Sequence, residues 1–231
     1  MTHPFALAPG LAFIFDMDGV VVDSMPVHEI AWTKYLESLG IDPGDVAARM
    51  HGRRNDEIVM DFLGKTADLS EVEEHGAAKE RLYRKMMQEI LTDQLVPGVV
   101  TFLTRAQSVP MAVASNAERP NIDFVLDGAG LRRFFRVIVD GSEVARPKPA
   151  PDIYLRAAQD LGLAPENCIV FEDSPVGITA AREAGARVVG IQTHSEELTD
   201  VQIQVKDFQD ERLHTWIAQQ RPVEIPGGTH A

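Results

Sequence analysis

The chain has 231 residues, enough for one large α/β domain or for a domain of about 150 residues with a smaller partner. Its 35 acidic against 22 basic residues give a formal net charge of -13, a field that repels a phosphate backbone and argues against general nucleic-acid binding, though a local lysine or amide nest can still hold a small anion. A single cysteine, Cys168, excludes an intramolecular disulfide framework and reads as a buried structural thiol. No run approaches the ~18 apolar residues of a membrane span, and no basic-then-apolar leader opens the chain, so the cytoplasm is the expected compartment.

The first apolar run, Leu11 to Phe15, reads as a strand buried on both faces, because it lacks the alternation of a half-exposed one. From Met25 to Leu95 the pattern is helical throughout. Pro26 opens a helix through Glu37 that stops at Gly40, and Asp56 to Leu63 forms another. A third spans Ser70 to Leu91, with Ser70-Glu71-Val72-Glu73 as a capping box. Pro97-Gly98 marks a change of rhythm. Strands at Pro110 to Ala114, Val137 to Asp140, Cys168 to Phe171 and Arg187 to Ile191 then alternate with helices. The helical segments are Val99 to Gln107, Asn121 to Ala129, Ile153 to Leu161 and Val176 to Ala184.

That alternation predicts an α/β fold, a doubly wound, mainly parallel Rossmann-like sheet. About 70 helical residues between the first two strands are too many for a crossover and predict an inserted all-helical domain. The expected division is residues 1–22 and 96–231 for the α/β core and 23–95 for the helical insert. The tail from Pro222, with Pro226-Gly227-Gly228, is expected to be a mobile end.

The chemistry concentrates at strand ends, where open parallel sheets bind ligands. Asp16 and Asp18 follow the first strand, with Gly19 permitting a tight turn. Two carboxylates so close repel unless a cation sits between them, and Mg²⁺ is the usual partner of phosphate. A solvated Asp-x-Asp turn is the alternative for that pair alone. Ser115 and Asn116 close the second strand with a hydroxyl and backbone amides where an anion can rest. Lys148 lies in Arg146-Pro147-Lys148-Pro149-Ala150-Pro151, a loop stiffened by three prolines. Glu172 and Asp173 end another strand and repeat the logic of the first pair. Phosphoryl transfer needs a nucleophile, an acid/base, a cation and donors for the equatorial oxygens, and these four strand ends offer them all.

With FDMDGV, ASN, the lysine of RPKPAPD and FEDS, the sequence resembles the haloacid dehalogenase-like superfamily, within it the phosphatases related to β-phosphoglucomutase. The resemblance covers nearly the whole chain. It implies that Asp16 is the nucleophile and Asp18 the general acid and then base. Ser115 and the amide of Asn116 would hold the phosphoryl group, and Lys148 would screen charge. Asp16, the backbone carbonyl of Asp18 and Asp173 would bind Mg²⁺, with Glu172 ligating directly or supporting the ligands from behind. The helical insert would be a mobile cap that closes over the substrate.

The same resemblance frames the choice of reaction. Asp18 argues against the dehalogenase branch, which does not use this second aspartate. Asn55 stands where the phosphonatase branch would carry a Schiff-base lysine. Asp23-Ser24, His28, Trp32 and Lys79 match the mutase pattern, yet His51 and Asn55 replace a lysine and an arginine of the mutase cap. Losing that arginine removes a bidentate grip on a second phosphate, for which Arg53 or Arg54 are the candidate substitutes. The expected activity is hydrolysis of a small phosphorylated metabolite, a sugar phosphate for instance, with a β-phosphoglucomutase-like reaction as the enzyme alternative. A phosphorylated signalling module is the non-enzyme alternative, against which the helical insert speaks.

Overall fold

A computed structural model describes residues 8–50, 53, 55–64, 68–193 and 197–223. Its core is a six-stranded sheet in the order β3-β2-β1-β4-β5-β6, with every pairing parallel. The strands are β1 (Ala12–Phe15), β2 (Met111–Ser115), β3 (Val137–Asp140), β4 (Cys168–Glu172), β5 (Arg187–Ile191) and β6 (Ile203–Val205). The order reverses at β1, which pairs β2 on one side and β4 on the other. That is the switch point where a crevice opens beyond the strand ends.

Side-chain alternation explains the apolar runs. Phe13 and Phe15 of β1 face one core, together with Phe102, Phe171 and Phe208, while Ala12 and Ile14 face the other. The first layer carries α5 (Val99–Arg105), α6 (Arg119–Gly128) and α9 (Glu211–Gln219), and the second carries α7 (Asp152–Leu161) and α8 (Pro175–Glu183). With both faces covered, every residue of β1, β2 and β4 is buried. Phe15 stacks on Phe171 at 4.6 Å between ring centroids, fixing the two central strands side by side. Cys168 is buried in the second layer, which pushes its thiol up to about 12 and makes it a core residue.

Between β1 and β2 lie α1 (Met25–Ser38), α2 (Val46–Met50), α3 (Asn55–Leu63) and α4 (Leu69–Met87). They share an apolar cluster of their own, built on Trp32, Leu36, Met50, Ile58, Val59 and Val72. The insert also reaches the main core, because Val27 and Ala31 of α1 and Tyr83 and Met87 of α4 pack into the first layer.

Several expectations require correction. The capping box of α4 is formed by Asp68 and Glu71, one residue pair earlier than Ser70 and Glu73, because Asp68 is extended and accepts from the Glu71 amide. The same helix ends at Met87, short of Leu91. The periodicity missed α2, β6 and α9, which are short or lie in a polar stretch. Within the tail, the Val223 amide donates to Asn167 Oδ1 at 2.7 Å and its carbonyl accepts from Asn167 Nδ2 at 3.3 Å. The Pro226-Gly227-Gly228 part of the tail lies outside the described residues.

Candidate active site

The Asp16 amide donates to the Phe171 carbonyl at 3.0 Å, so the β1–β4 ladder runs to the base of the crevice. Asp16 and Glu172 are thereby set side by side on rigid strands, and both are buried. Lys148 comes from the loop between β3 and α7 and is 7% exposed. Its Nζ donates to Asp16 Oδ1 at 2.7 Å and to Glu172 Oε1 at 2.6 Å. The Tyr154 hydroxyl, from α7, donates to the same Glu172 oxygen at 2.6 Å. Glu172 Oε2 accepts from the amides of Asp173 and Ser174 and from the Ser174 hydroxyl. Both oxygens of Glu172 are therefore engaged, and its carboxylate anchors the lysine from behind.

Two glycines make room for these carboxylates. Gly177 lies at the start of α8, where a Cβ would land on the Glu172 carboxylate. Gly19 has φ +78° and backs directly onto the Asp173 carboxylate. One ammonium is short of the charge needed by the acids around it. Burial lifts the Asp16 carboxyl to about 7, against the attraction of Lys148 and with repulsion from Glu172 and Asp18. Burial, together with Glu172 and Asp16, carries Asp173 well above the carboxylate range. Glu172 is lowered: burial acts upward, but the charge and hydrogen bond of Lys148 outweigh it. For Lys148 burial acts downward and the two carboxylates prevail, so it stays charged. Carboxylate oxygens of Asp16, Glu172 and Asp173 lie within 4.8 Å of one another. An all-oxygen set with excess negative charge fits a hard divalent cation.

Asp18 occupies the turn after β1, where its carboxylate accepts from the Ser24 hydroxyl at 2.5 Å and faces His28 Nε2 at 3.7 Å. Burial acts upward on Asp18, yet His28, Ser24 and Lys79 together hold it below the usual range, so it rests ionised. Ser24 precedes α1 but gives its hydroxyl to Asp18 instead of capping the helix. Ser115 ends β2 almost fully buried, its Oγ accepting from the Ala117 amide at 3.2 Å. Gly141, just past β3, admits the Asn116 carbonyl, which would stand 2.8 Å from a Cβ there.

A single cavity is lined by Asp16, Asp18, Ser115, Asn116, Lys148 and Asp173, and by the insert residues His28, Arg53, Asn55 and Lys79. His51 and Arg54 lie outside the described residues. Lys79, buried, donates to Glu80 Oε1 at 2.6 Å and meets His28 Nδ1 at 3.0 Å. The Arg53 guanidinium serves Asp61 and the carbonyls of Arg49 and Glu57. Sequence reasoning missed Tyr154, Glu80, Glu118 and Asn121. Glu80 Oε2 accepts from Asn121 Nδ2 at 2.7 Å, joining α4 to α6. A buried Lys-Glu dipeptide on an otherwise amphipathic helix carries no local mark of its partner.

Residues 11–185 match the model of the haloacid dehalogenase-like hydrolase family. The chain belongs to this family. It is an enzyme of the haloacid dehalogenase-like hydrolases, and phosphatases stand among its relatives. It is 34% identical to hexitol phosphatase A of Escherichia coli over 183 residues, 78% of this chain and 82% of that protein. It is 32% identical to the fructose-1-phosphate phosphatase YqaB of the same organism over 182 residues, 77% of this chain and 94% of the relative. A β-phosphoglucomutase structure from Clostridium difficile superposes with a TM-score of 0.79 at 27% identity, covering 90% of this chain and 96% of that one. Among the described residues, no helix is long and apolar enough to cross a membrane.

Proposed function

We propose that this hydrolase is a Mg²⁺-dependent phosphatase acting on a small phosphomonoester, a sugar or polyol phosphate for example, through an aspartyl-phosphate. The single observation that carries the reading is the buried Asp16–Lys148–Glu172 group beside Asp173 at the β1/β4 switch point. Asp16 and Asp173 would hold the cation, with the backbone carbonyl of Asp18, while Glu172 supports them through Lys148. The bound metal would offset charge on the transferring phosphoryl group.

In the first step an Asp16 oxygen attacks phosphorus, an O–P bond forms, and the bond to the leaving alkoxide breaks. Asp18 gives that alkoxide its proton. Asp18 rests ionised, so it must gain that proton as the anionic substrate approaches, since added negative charge raises a carboxyl's proton affinity. In the second step Asp18 takes a proton from water, the resulting hydroxide displaces Asp16 from phosphorus, and inorganic phosphate leaves. Lys148 keeps one Asp16 oxygen fixed throughout, and Ser115 with the amide of Asn116 would hold the phosphoryl oxygens. The helical insert would act as the cap that excludes water, and the cytoplasm is the proposed compartment.

Hydrolysis of p-nitrophenyl phosphate with Mg²⁺ tests the reading. The Asp16→Asn variant should fold normally and lose at least about a thousandfold in turnover. An Asp16→Asn protein as active as the wild type would sink the mechanism. The likeness to β-phosphoglucomutase keeps a second reading in view, and the product separates the two. With β-glucose 1-phosphate and a bisphosphate primer, released phosphate marks hydrolysis and glucose 6-phosphate marks the mutase.

A further inference from the structure

The contact between the insert and the core carries more polar organisation than holding the two together requires. Glu80 and Arg84 stand four residues apart on α4, the spacing at which a helix pairs an acid with a base on its own surface. Here each bonds instead to one end of the Asn121 amide, on α6 of the core. Arg84 donates to Asn121 Oδ1 at 2.5 Å, and Asn121 Nδ2 donates to Glu80 Oε2 at 2.7 Å. The amide thus lies between opposite charges, its carbonyl toward the cation and its amino group toward the carboxylate, and only this orientation suits both. Asn121, Glu80 and the neighbouring Lys79 are all buried. A buried ion pair adds little stability over well-packed apolar side chains, so stability is a poor explanation for the Lys79–Glu80 pair.

From Glu80 the chain of contacts runs to Asp18. The other Glu80 oxygen accepts from Lys79 at 2.6 Å, and the Lys79 ammonium meets His28 Nδ1 at 3.0 Å. An ammonium can only donate, so Nδ1 accepts, which leaves the ring proton on Nε2, the nitrogen that faces Asp18 at 3.7 Å. Tyr83 stacks on the same ring with centroids 3.7 Å apart and planes 8° apart. That stack fixes the plane of the imidazole but not which nitrogen carries the proton. Lys79 decides it, and Glu80 holds Lys79.

We propose that Asn121 is a positioning residue for the acid/base. By bracing Glu80 from the core, it holds Lys79 and His28 in the geometry that presents the Nε2 proton to Asp18. Asp18 is then set to protonate the leaving group only while α4 is seated on α6. This rests on the phosphatase reading and adds to it a core residue that acts through three others.

The test compares p-nitrophenyl phosphate with phenyl phosphate, on the full chain with Mg²⁺. p-Nitrophenoxide leaves readily without a proton, phenoxide needs one, and kcat/KM reports only on the steps up to that departure. Asn121→Leu, of the same branched shape but unable to bond, should lower kcat/KM for phenyl phosphate about ten- to a hundredfold more than for the nitrophenyl ester. Asn121→Asp combined with Glu80→Gln exchanges carboxylate and amide, keeping the total charge and a donor and acceptor for each bond. That swap should return the ratio to within about threefold of the wild type. Arg84→Met should move the ratio in the same direction by less, and it serves if the leucine variant does not fold. A merely structural role would lower both esters alike, together with the urea midpoint. Equal losses, or a ratio that the swap does not restore, overturn the proposal and leave the phosphatase reading standing. If the wild type hydrolyses neither ester, that reading falls and amide hydrogen exchange decides the brace. Breaking it should then speed exchange from Lys79 to Met87 by about tenfold or more and the swap should reverse this, whereas unchanged rates overturn the brace as well.

Discussion

Replacing Gly177 with alanine sets two physical effects against each other with opposite signs. Gly177 is the third residue of α8, where helix propensity alone makes Gly→Ala stabilising by at most about 1 kcal/mol. The new methyl, however, would occupy the place of the Glu172 carboxylate, which is buried and tied by five donors. Retreat by about an ångström or more breaks at least the bonds from Lys148 and Tyr154. Hydrogen bonds to charged groups are worth about 1.5–3 kcal/mol each, so the loss is about 3–6 kcal/mol and the net destabilisation about 2–5 kcal/mol. For a chain of this size each kcal/mol moves the thermal midpoint by about 2–4 °C, which predicts a fall of roughly 4–20 °C. Urea unfolding followed by circular dichroism measures it directly, and phosphatase turnover should fall about a hundredfold as Lys148 loses its register on Asp16. A Gly177→Ala protein as stable as the wild type, or more so, with turnover intact would refute the claim that Glu172 is held rigidly behind the lysine.

Lys148→Ala should leave Asp16 and Glu172 buried without their cation, costing about 3–5 kcal/mol in denaturant unfolding as well as turnover. A variant as stable as the wild type would show that those carboxylates relax into solvent. The raised Asp16 carboxyl also makes metal and pH interdependent. In the metal-free chain the stability tied to its extra proton is present below about pH 4 and lost as pH rises towards 7, because the folded state binds the proton more tightly than the unfolded one. Mg²⁺ needs the ionised carboxylates, so the rise in thermal midpoint that it causes should be larger above about pH 7 than below about pH 5. An equal or larger rise in acid would contradict the assignment of Asp16 and Asp173 as the cation's ligands.

Much of this was legible in the sequence for an identifiable reason. Strands buried on both faces write themselves as unbroken apolar runs, and the residue after each run is the one a parallel sheet presents to its crevice. Asp16, Ser115 and Glu172 occupy such positions, and Asp173 is one residue further on. The polar partners beneath them were not legible. Tyr154 lies six residues beyond Lys148 in the next helix, and its role depends on a fold that brings its hydroxyl to Glu172. Likewise the Asn55–Glu118 and Glu80–Asn121 bonds join the insert to α6 across 63 and 41 residues, a relation no local pattern encodes. The shifted capping box has a plainer cause. Both Asp68 and Ser70 are good N-caps followed three residues on by a glutamate, and only the backbone conformation decides between them.

The Lys148–Asp16 bond spans 132 positions of the chain. Closing a flexible loop of that length costs about 4 kcal/mol of chain entropy, plus a constant, before any contact repays it. The pair has no local precursor, so it can form only when β1, β4 and the loop before α7 are already in place. The environment of Asp16 is therefore expected to assemble late, and recovered activity during refolding would time the completion of the central sheet. A nascent chain that has made its first strand and its helical insert, but not yet β4, holds Asp16 without the lysine that bonds to it and the glutamate that anchors that lysine. On the proposed mechanism, topology by itself would keep a half-made molecule from premature catalysis.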